Sequence, residues 1–239
     1  MSVWGYALLV GAVLIGGTAG LAAPQFRRLG LPLVLAFSGA YLLGVTCLHV
    51  LPEAFATRGA GIGLALLAGF FAQLLLESLS QGVEHGHVHA HGSRRAALPV
   101  LVGLSLHAFL EGTPLDHLVG TVHEGHEHGH LLVGLALHKV PAAFALAVLL
   151  TENGYSRGAA VGLLLVFAAM SPLGSVLAKA GLQGAWLPYL LALVAGSLLH
   201  VSTTILFEQD SAGGGHRLGW RKLASVVAGF AAAIATAGL

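Results

Sequence analysis

LVGLSLHAFLEGTPLDHL, residues 101–118, and LVGLALHKVPAAFAL, residues 132–146, decide how this chain is read. Their opening heptapeptides, LVGLSLH and LVGLALH, nearly coincide at a separation of 31 positions, and each ends in a histidine. Each copy lies in an apolar stretch long enough to cross a bilayer. Consecutive spans run in opposite directions, so the repeat is an inverted one. His107 and His138 can then face each other at mid-depth, between related segments of the membrane domain. Glu111 stands one helical turn beyond His107, on the same helix face and about 6 Å along the axis. Two imidazoles and a carboxylate at lipid depth read as a divalent-metal site.

The surrounding composition supports membrane depth. Of the 239 residues, 56% are hydrophobic and only 9% charged, and the mean hydropathy is +0.84. Soluble domains carry roughly 25% charged residues. The chain therefore reads as an integral membrane protein, a single transmembrane domain over 1–239 with no room for a large soluble one. A hydrocarbon core about 30 Å thick needs roughly 20 apolar residues of helix. Eight such stretches follow one another, approximately 3–23, 31–52, 58–79, 96–117, 131–150, 158–180, 185–208 and 220–239. The predicted fold is an all-α bundle of eight transmembrane helices. Its last span is short and alanine-rich. No basic leader precedes the first stretch, so that stretch is expected to remain as a span.

Basic residues set the expected orientation. With the N-terminus outside, Arg27, Arg28, Arg94, Arg95, Arg157, Arg217, Arg221 and Lys222 fall on the cytoplasmic side, against Arg58 and Lys179 outside. That segregation obeys the positive-inside rule and puts both termini outside, which in a bacterial inner membrane is the periplasm. The net charge of +1 and the absence of a basic tract speak against a nucleic-acid partner. Cys47 is the one cysteine, which excludes an intramolecular disulfide and a thiolate cluster.

A carboxylate at the depth of Glu111 is costly unless it meets a cavity or a partner. Imidazole nitrogen and carboxylate oxygen suit zinc, and three protein ligands leave a position open for exchange. A helix-interface hydrogen bond between the histidines is the plainer reading. The repeat relation and the adjacent acid favour the metal. Pro114 and Pro141 interrupt the two helices and free the carbonyls of Leu110 and Leu137 from their usual donors.

These residues also carry a resemblance. LSLHAFLEG resembles the fourth-span metal motif of the ZIP family of divalent-metal transporters. LHKVPAAFAL resembles its fifth-span counterpart, and FSGAYLLGVTCLHVLPEAF is similar to its second span. SPLG at 171–174 and LVAGSLLH at 193–200 fit as well. The resemblance implies a bacterial-type zinc or iron transporter whose primary site maps onto His107, Glu111 and His138. Many members carry a glutamate where this chain has Ala142, and bridge a second metal there. Ala108 and Lys139 also stand where ligands of that second metal would be. The resemblance therefore implies a single-metal version. From the residues themselves, the Lys139 ammonium is expected roughly in the second cation's place, offsetting the charge of Glu111. The alternative is that Lys139 snorkels away along its helix.

Further polar residues mark a path. His49 and Glu53, again four apart, sit at the outer end of the second span. Gln73 and Glu77 lie toward the cytoplasmic end of the third, and His200, Thr204 and Glu208 form a stripe on the seventh. A polar stripe on an apolar span faces the bundle interior, as ion ligands or as a structural network. EHGHVHAH at 84–91 is expected inside and HEGHEHGH at 123–130 outside, both composed to hold metal loosely or to act as plain linker.

Other functions fit less well. A membrane metalloprotease needs HExxH on a helix. His123-Glu124-Gly125-His126-Glu127 has the wrong spacing in a glycine-broken loop. No serine-based catalytic arrangement is convincing, so an enzyme is not expected. Cation-diffusion exporters have six spans, aspartate-rich sites and a soluble C-terminal domain. The main rival is a membrane metal sensor without flux. Zinc is the expected cargo, with iron(II), manganese and cadmium as alternatives. No resident cofactor is implied, the lipid bilayer is the surrounding partner, and a homodimer is compatible with the reading.

Overall fold

The computed structural model describes residues 1–26, 30–56, 59–80, 82–83, 93–120, 129–181, 184–207 and 219–237. Among these residues every regular element is helical. The main helices are α1 (Val3–Ala22), α2 (Leu31–Ala56), α3 (Ala60–Ser80), α4 (Arg94–Gly112), α5 (Gly129–Glu152), α6 (Arg157–Gly181), α7 (Leu187–Phe207) and α8 (Trp220–Ala237). A short helix, Leu115–Gly120, continues α4 beyond the Thr113-Pro114 break. Seven of the eight are long and apolar enough to cross a membrane. The helix outside that set is α8, whose 18 residues open on Trp220, Arg221 and Lys222. Arg27, Arg28, Arg58, Arg217, Glu208, the whole run 84–91 and residues 123–128 lie outside the described residues.

Local sequence explains the helix ends and the one irregularity. Ser2 caps α1 by accepting from the Gly5 N–H, and Pro32 sits in the first turn of α2. Within α2, Thr46–Val50 forms a π-helical turn in which the Leu51 N–H reaches back to Thr46 O. Pro52 follows at once. It has no N–H and its ring crowds the carbonyl four residues earlier, and the wider turn relieves that crowding. This turn carries His49.

Most apolar side chains on the outside of the bundle are exposed, among them Trp4, Phe71, Leu75, Leu177 and Val227. In water such a surface would aggregate; against lipid tails it is the ordinary condition. The helices divide by burial. In α5 83% of the apolar window is buried, in α3 only 17%, so α5 is the central helix and α3 a peripheral one.

Lipid gives no hydrophobic drive for helix to meet helix, so close backbone approach through small residues does that work. A Cβ on Gly16 of α1 would lie 2.0 Å from the Val140 carbonyl oxygen of α5. The other pairs use glycines from both partners. Between α3 and α7, Gly69 abuts the Leu193 carbonyl and Gly196 the Leu66 carbonyl, at 1.8 and 2.0 Å from a hypothetical Cβ. Between α4 and α6, Gly112 meets Ser171 and Gly174 meets Phe109, both at 2.1 Å. Between α2 and α8, Gly229 abuts the Phe37 carbonyl at 2.4 Å and Gly44 the Ala233 methyl at 2.5 Å. Two sets of helices result, α1 with α4, α5 and α6, and α2 with α3, α7 and α8. They meet along α2–α5 and α3–α4.

Each end of the bundle is tied by polar groups. At one end the Asn153-Gly154 turn needs the positive φ of Gly154, +81°, and its carbonyl accepts from Arg94 Nε at 3.0 Å. Tyr155 Oη donates to the Arg94 carbonyl at 3.1 Å. At the other end Asp116 binds the amino group of Met1 and Lys179 Nζ, the latter at 3.1 Å.

Candidate metal centre

The three residues singled out by the repeat and by four-residue spacing converge. His107 and Glu111 project from one face of α4, and His138 comes from α5 opposite them. One ligand atom from each lies within 4.8 Å of the other two, and all three residues are buried. Glu111 is fully buried, with His107 Nε2 2.9 Å from its Oε1. The rings of His107 and His138 stand edge to face, 88° apart in plane, with centroids 6.0 Å apart. Zinc bonds of about 2.1 Å in a tetrahedral shell separate ligand atoms by roughly 3.4 Å. Side-chain adjustments of about 1 Å would close this set on one ion, without moving a helix.

Lys139 turns inward. It is 3% exposed, its Nζ lies 3.2 Å from Glu111 Oε2, and it stands 5.5 Å from the centre of the Phe167 ring. The snorkelling alternative therefore gives way to a buried pair. A carboxylate this deep is strongly disfavoured alone. Lys139 donates to one carboxylate oxygen, and His107 Nε2 faces the other.

The helix break at Pro114 is satisfied locally. The Leu110 carbonyl, expected to be freed, accepts from the Thr113 N–H at 3.1 Å and the Thr113 hydroxyl at 2.7 Å. It is not an ion ligand in this arrangement. Ser171 Oγ of α6 donates to the Ala108 carbonyl at 2.6 Å and steadies the ligand-bearing turn of α4.

Beyond the triad a polar track runs between α3 and α7. Gln73 Oε1 lies 2.8 Å from His107 Nδ1 and 2.9 Å from Ser197 Oγ. One turn further on α3, Glu77 meets His200 Nε2 of α7, and the His200 ring stands edge-on to Phe70. Thr204 donates to the His200 carbonyl. The sequence singled out Gln73, Glu77, His200 and Thr204, but not Ser197. A hydroxyl between two glycine- and leucine-rich turns has no helical-face signature of its own.

At the Met1–Asp116 end, Glu53 Oε1 meets His117 Nε2 at 3.3 Å, and the His49 and His130 rings have centroids 5.0 Å apart. The sequence marked His49 and Glu53 and placed His130 in a loop, whereas His130 opens α5. His117 was missed. Its position in PLDHL, just past a helix-breaking proline, is the signal that could have found it. Glu208 lies outside the described residues.

The sequence profile described as the ZIP zinc transporter matches residues 79–237, more than half of the chain and all of α4 to α8. The chain belongs to the ZIP family. It is 32% identical over 126 residues to Zinc transporter ZIP9-B of Xenopus laevis, an alignment covering 52% of this chain and 41% of that protein. Zinc transporter ZIP9 of Micropogonias undulatus is 29% identical over 168 residues, covering 66% of this chain and 54% of that protein. The aligned chain thus spans about half the length of these relatives. ZIP membership makes it a multi-pass membrane protein of a transporter family rather than an enzyme family, in line with the reading from composition and motifs. Within the ZIP match, α4 and α5 contribute all three residues of the triad.

Proposed function

We propose that this ZIP protein carries a divalent cation, zinc before iron(II), manganese or cadmium, across a cell membrane into the cytoplasm. The ion is held by His107, Glu111 and His138, and the observation that carries the reading is the convergence of these three buried donors from α4 and α5. Neutral imidazoles and one carboxylate hold zinc while leaving a coordination position open for exchange. A single ion is bound. Lys139 takes the second cation's place, a reading supported by its 3.2 Å contact with Glu111.

All eight helices span, α8 included, and both termini lie outside. The distribution of arginine and lysine supports this orientation. The ion enters past Glu53 and His49 and leaves along the track of Glu77 and His200, with Glu208 beyond. The division into two sets of helices supports alternating access, one set sliding or rocking against the other around the site. The histidine-rich runs at the two faces concentrate metal outside and receive it inside.

Zinc uptake into proteoliposomes tests the reading. The protein as it stands takes up zinc, and His107→Ala and Glu111→Ala each reduce uptake by at least about tenfold, the loss of more than 1.4 kcal/mol of binding. Uptake undiminished in both variants would sink the site. Zinc binding without any uptake would leave the sensor.

A further inference from the structure

His107 is held from two sides. Its Nε2 faces Glu111, and its Nδ1 lies 2.8 Å from Gln73 Oε1 on α3. The same oxygen receives the Ser197 hydroxyl of α7 at 2.9 Å, and Gln73 is fully buried. A carboxamide oxygen only accepts. Both neighbours must therefore donate, and the Nδ1 of His107 carries a hydrogen. Nε2, 2.9 Å from Glu111 Oε1, is then the ring atom turned to the carboxylate, where a cation would take the place of any hydrogen shared between them. Turning the amide over would present its NH2 to Nδ1, move the hydrogen of a neutral ring to Nε2, and close the ring to metal.

We propose that Gln73 is a positioning residue for the transported ion: its amide oxygen accepts the Nδ1–H of His107 and so keeps Nε2 turned to Glu111 as the atom that coordinates, and it does so from the opposite set of helices. The proposal rests on His107 being a ligand. The ligands belong to α4 and α5, whereas Gln73 and Ser197 belong to α3 and α7. The bond from His107 to Gln73 crosses between the sets and exists only while they are in this register, whereas the Ser197 bond stays within α3 and α7 and travels with Gln73. A displacement of a few ångströms between α4 and α3 breaks the bond to His107, lets its ring turn and weakens the hold on the ion. Movement and release are thereby coupled through one side chain. A ligand histidine normally passes its second N–H to such a partner, and loss of the partner weakens metal binding about 10–100-fold.

The test compares the full-length protein with Gln73→Met, which keeps the volume and loses the strong acceptor, and Gln73→Glu, which keeps an acceptor oxygen. In ¹⁵N-histidine-labelled, zinc-loaded protein, His107 is assigned by its loss in His107→Gln. The protein shows a hydrogen-bonded Nδ1–H with Nε2 on zinc, Gln73→Met loses the low-field shift of that proton, and Gln73→Glu restores it. By calorimetry the zinc Kd of Gln73→Met rises about 10–100-fold, and in proteoliposomes KM rises while kcat is kept. Ser197→Ala, which leaves both partners in place, moves the Nδ1–H shift and Kd less and in the same direction, and serves if Gln73→Met does not fold. An unchanged Nδ1–H shift and Kd in the folded variants, or a Gln73→Glu as weak as Gln73→Met, would overturn the proposal. Zinc affinity that ignores His107→Gln would instead overturn the reading of the site on which it stands.

Discussion

Lys139 and Glu111 stand or fall together. Each is almost wholly enclosed, and their contact is 3.2 Å. Removing one partner of a buried pair leaves an uncompensated charge and costs about 3–5 kcal/mol. Lys139→Met keeps the length of the side chain and removes the charge, so its melting temperature in detergent falls by several degrees in the absence of metal. A bound dication takes over the lost positive charge, and saturating zinc recovers most of the difference. Melting curves with and without zinc measure both effects, and titration reads the stoichiometry. A variant with unchanged melting and unchanged stoichiometry would mean that Lys139 has no part in the site. The pairing was legible in outline, because a lysine beside a repeat-related histidine needs an acid at membrane depth and Glu111 is the nearest. Which way it turned was not, since an ammonium on a flexible four-carbon stem reaches either the interior or the interface.

Among the helices, the contacts that matter are backbone contacts. Gly112 and Gly174 let α4 and α6 approach so closely that a Cβ at either position would sit 2.1 Å from a carbonyl oxygen of the other helix. Gly112→Val therefore forces α4 away from α6 and shifts the turn carrying Glu111. Overpacking of this kind costs typically about 1–3 kcal/mol, and more where backbone must move. Gly162 on α6 has open space around its hypothetical Cβ, so Gly162→Ala is neutral or slightly stabilising. Size-exclusion profiles and melting temperatures of the two variants should separate clearly; equal behaviour would contradict the close α4–α6 approach. The spans themselves could be read from sequence to within a few residues, because length and hydropathy vary along one dimension. Which helix pairs with which could not. Apolar side chains facing lipid and those facing protein are chemically alike, and the glycines point to close approach without naming the partner. The triad was readable for the opposite reason: four-residue spacing puts His107 and Glu111 on one face, and the repeat supplies His138. The tie from Gln73 to His107 joins residues 34 apart on different helices, and no periodicity encodes it.

At the scale of the whole bundle, the two sets of helices meet where α5 passes α2 and α4 passes α3. If transport requires these sets to move past one another, fixing them should stop the cycle and leave the site able to bind. Gly134 of α5 offers a place for such a lock: a Cβ there lies 3.1 Å from the Tyr41 ring and 3.4 Å from the Leu42 side chain of α2. Gly17 of α1 offers the control, because its Cβ would lie 2.8 Å from the Leu164 side chain of α6, within one set. Cys47 is the sole native cysteine, so Cys47→Ser alone clears the background. In that background, Gly134→Cys with Leu42→Cys, bridged through disulfides by a short bis-methanethiosulfonate, blocks zinc uptake into proteoliposomes while calorimetry still finds one zinc bound. The bridge between Gly17→Cys and Leu164→Cys leaves uptake near that of the unbridged protein, and reduction restores the first pair. Full uptake through the α5–α2 bridge would show that the ion passes without relative movement of the sets, as through a channel, and would also remove the link between Gln73 and release. Loss of uptake in both bridged pairs would place the motion inside the ligand-bearing set instead.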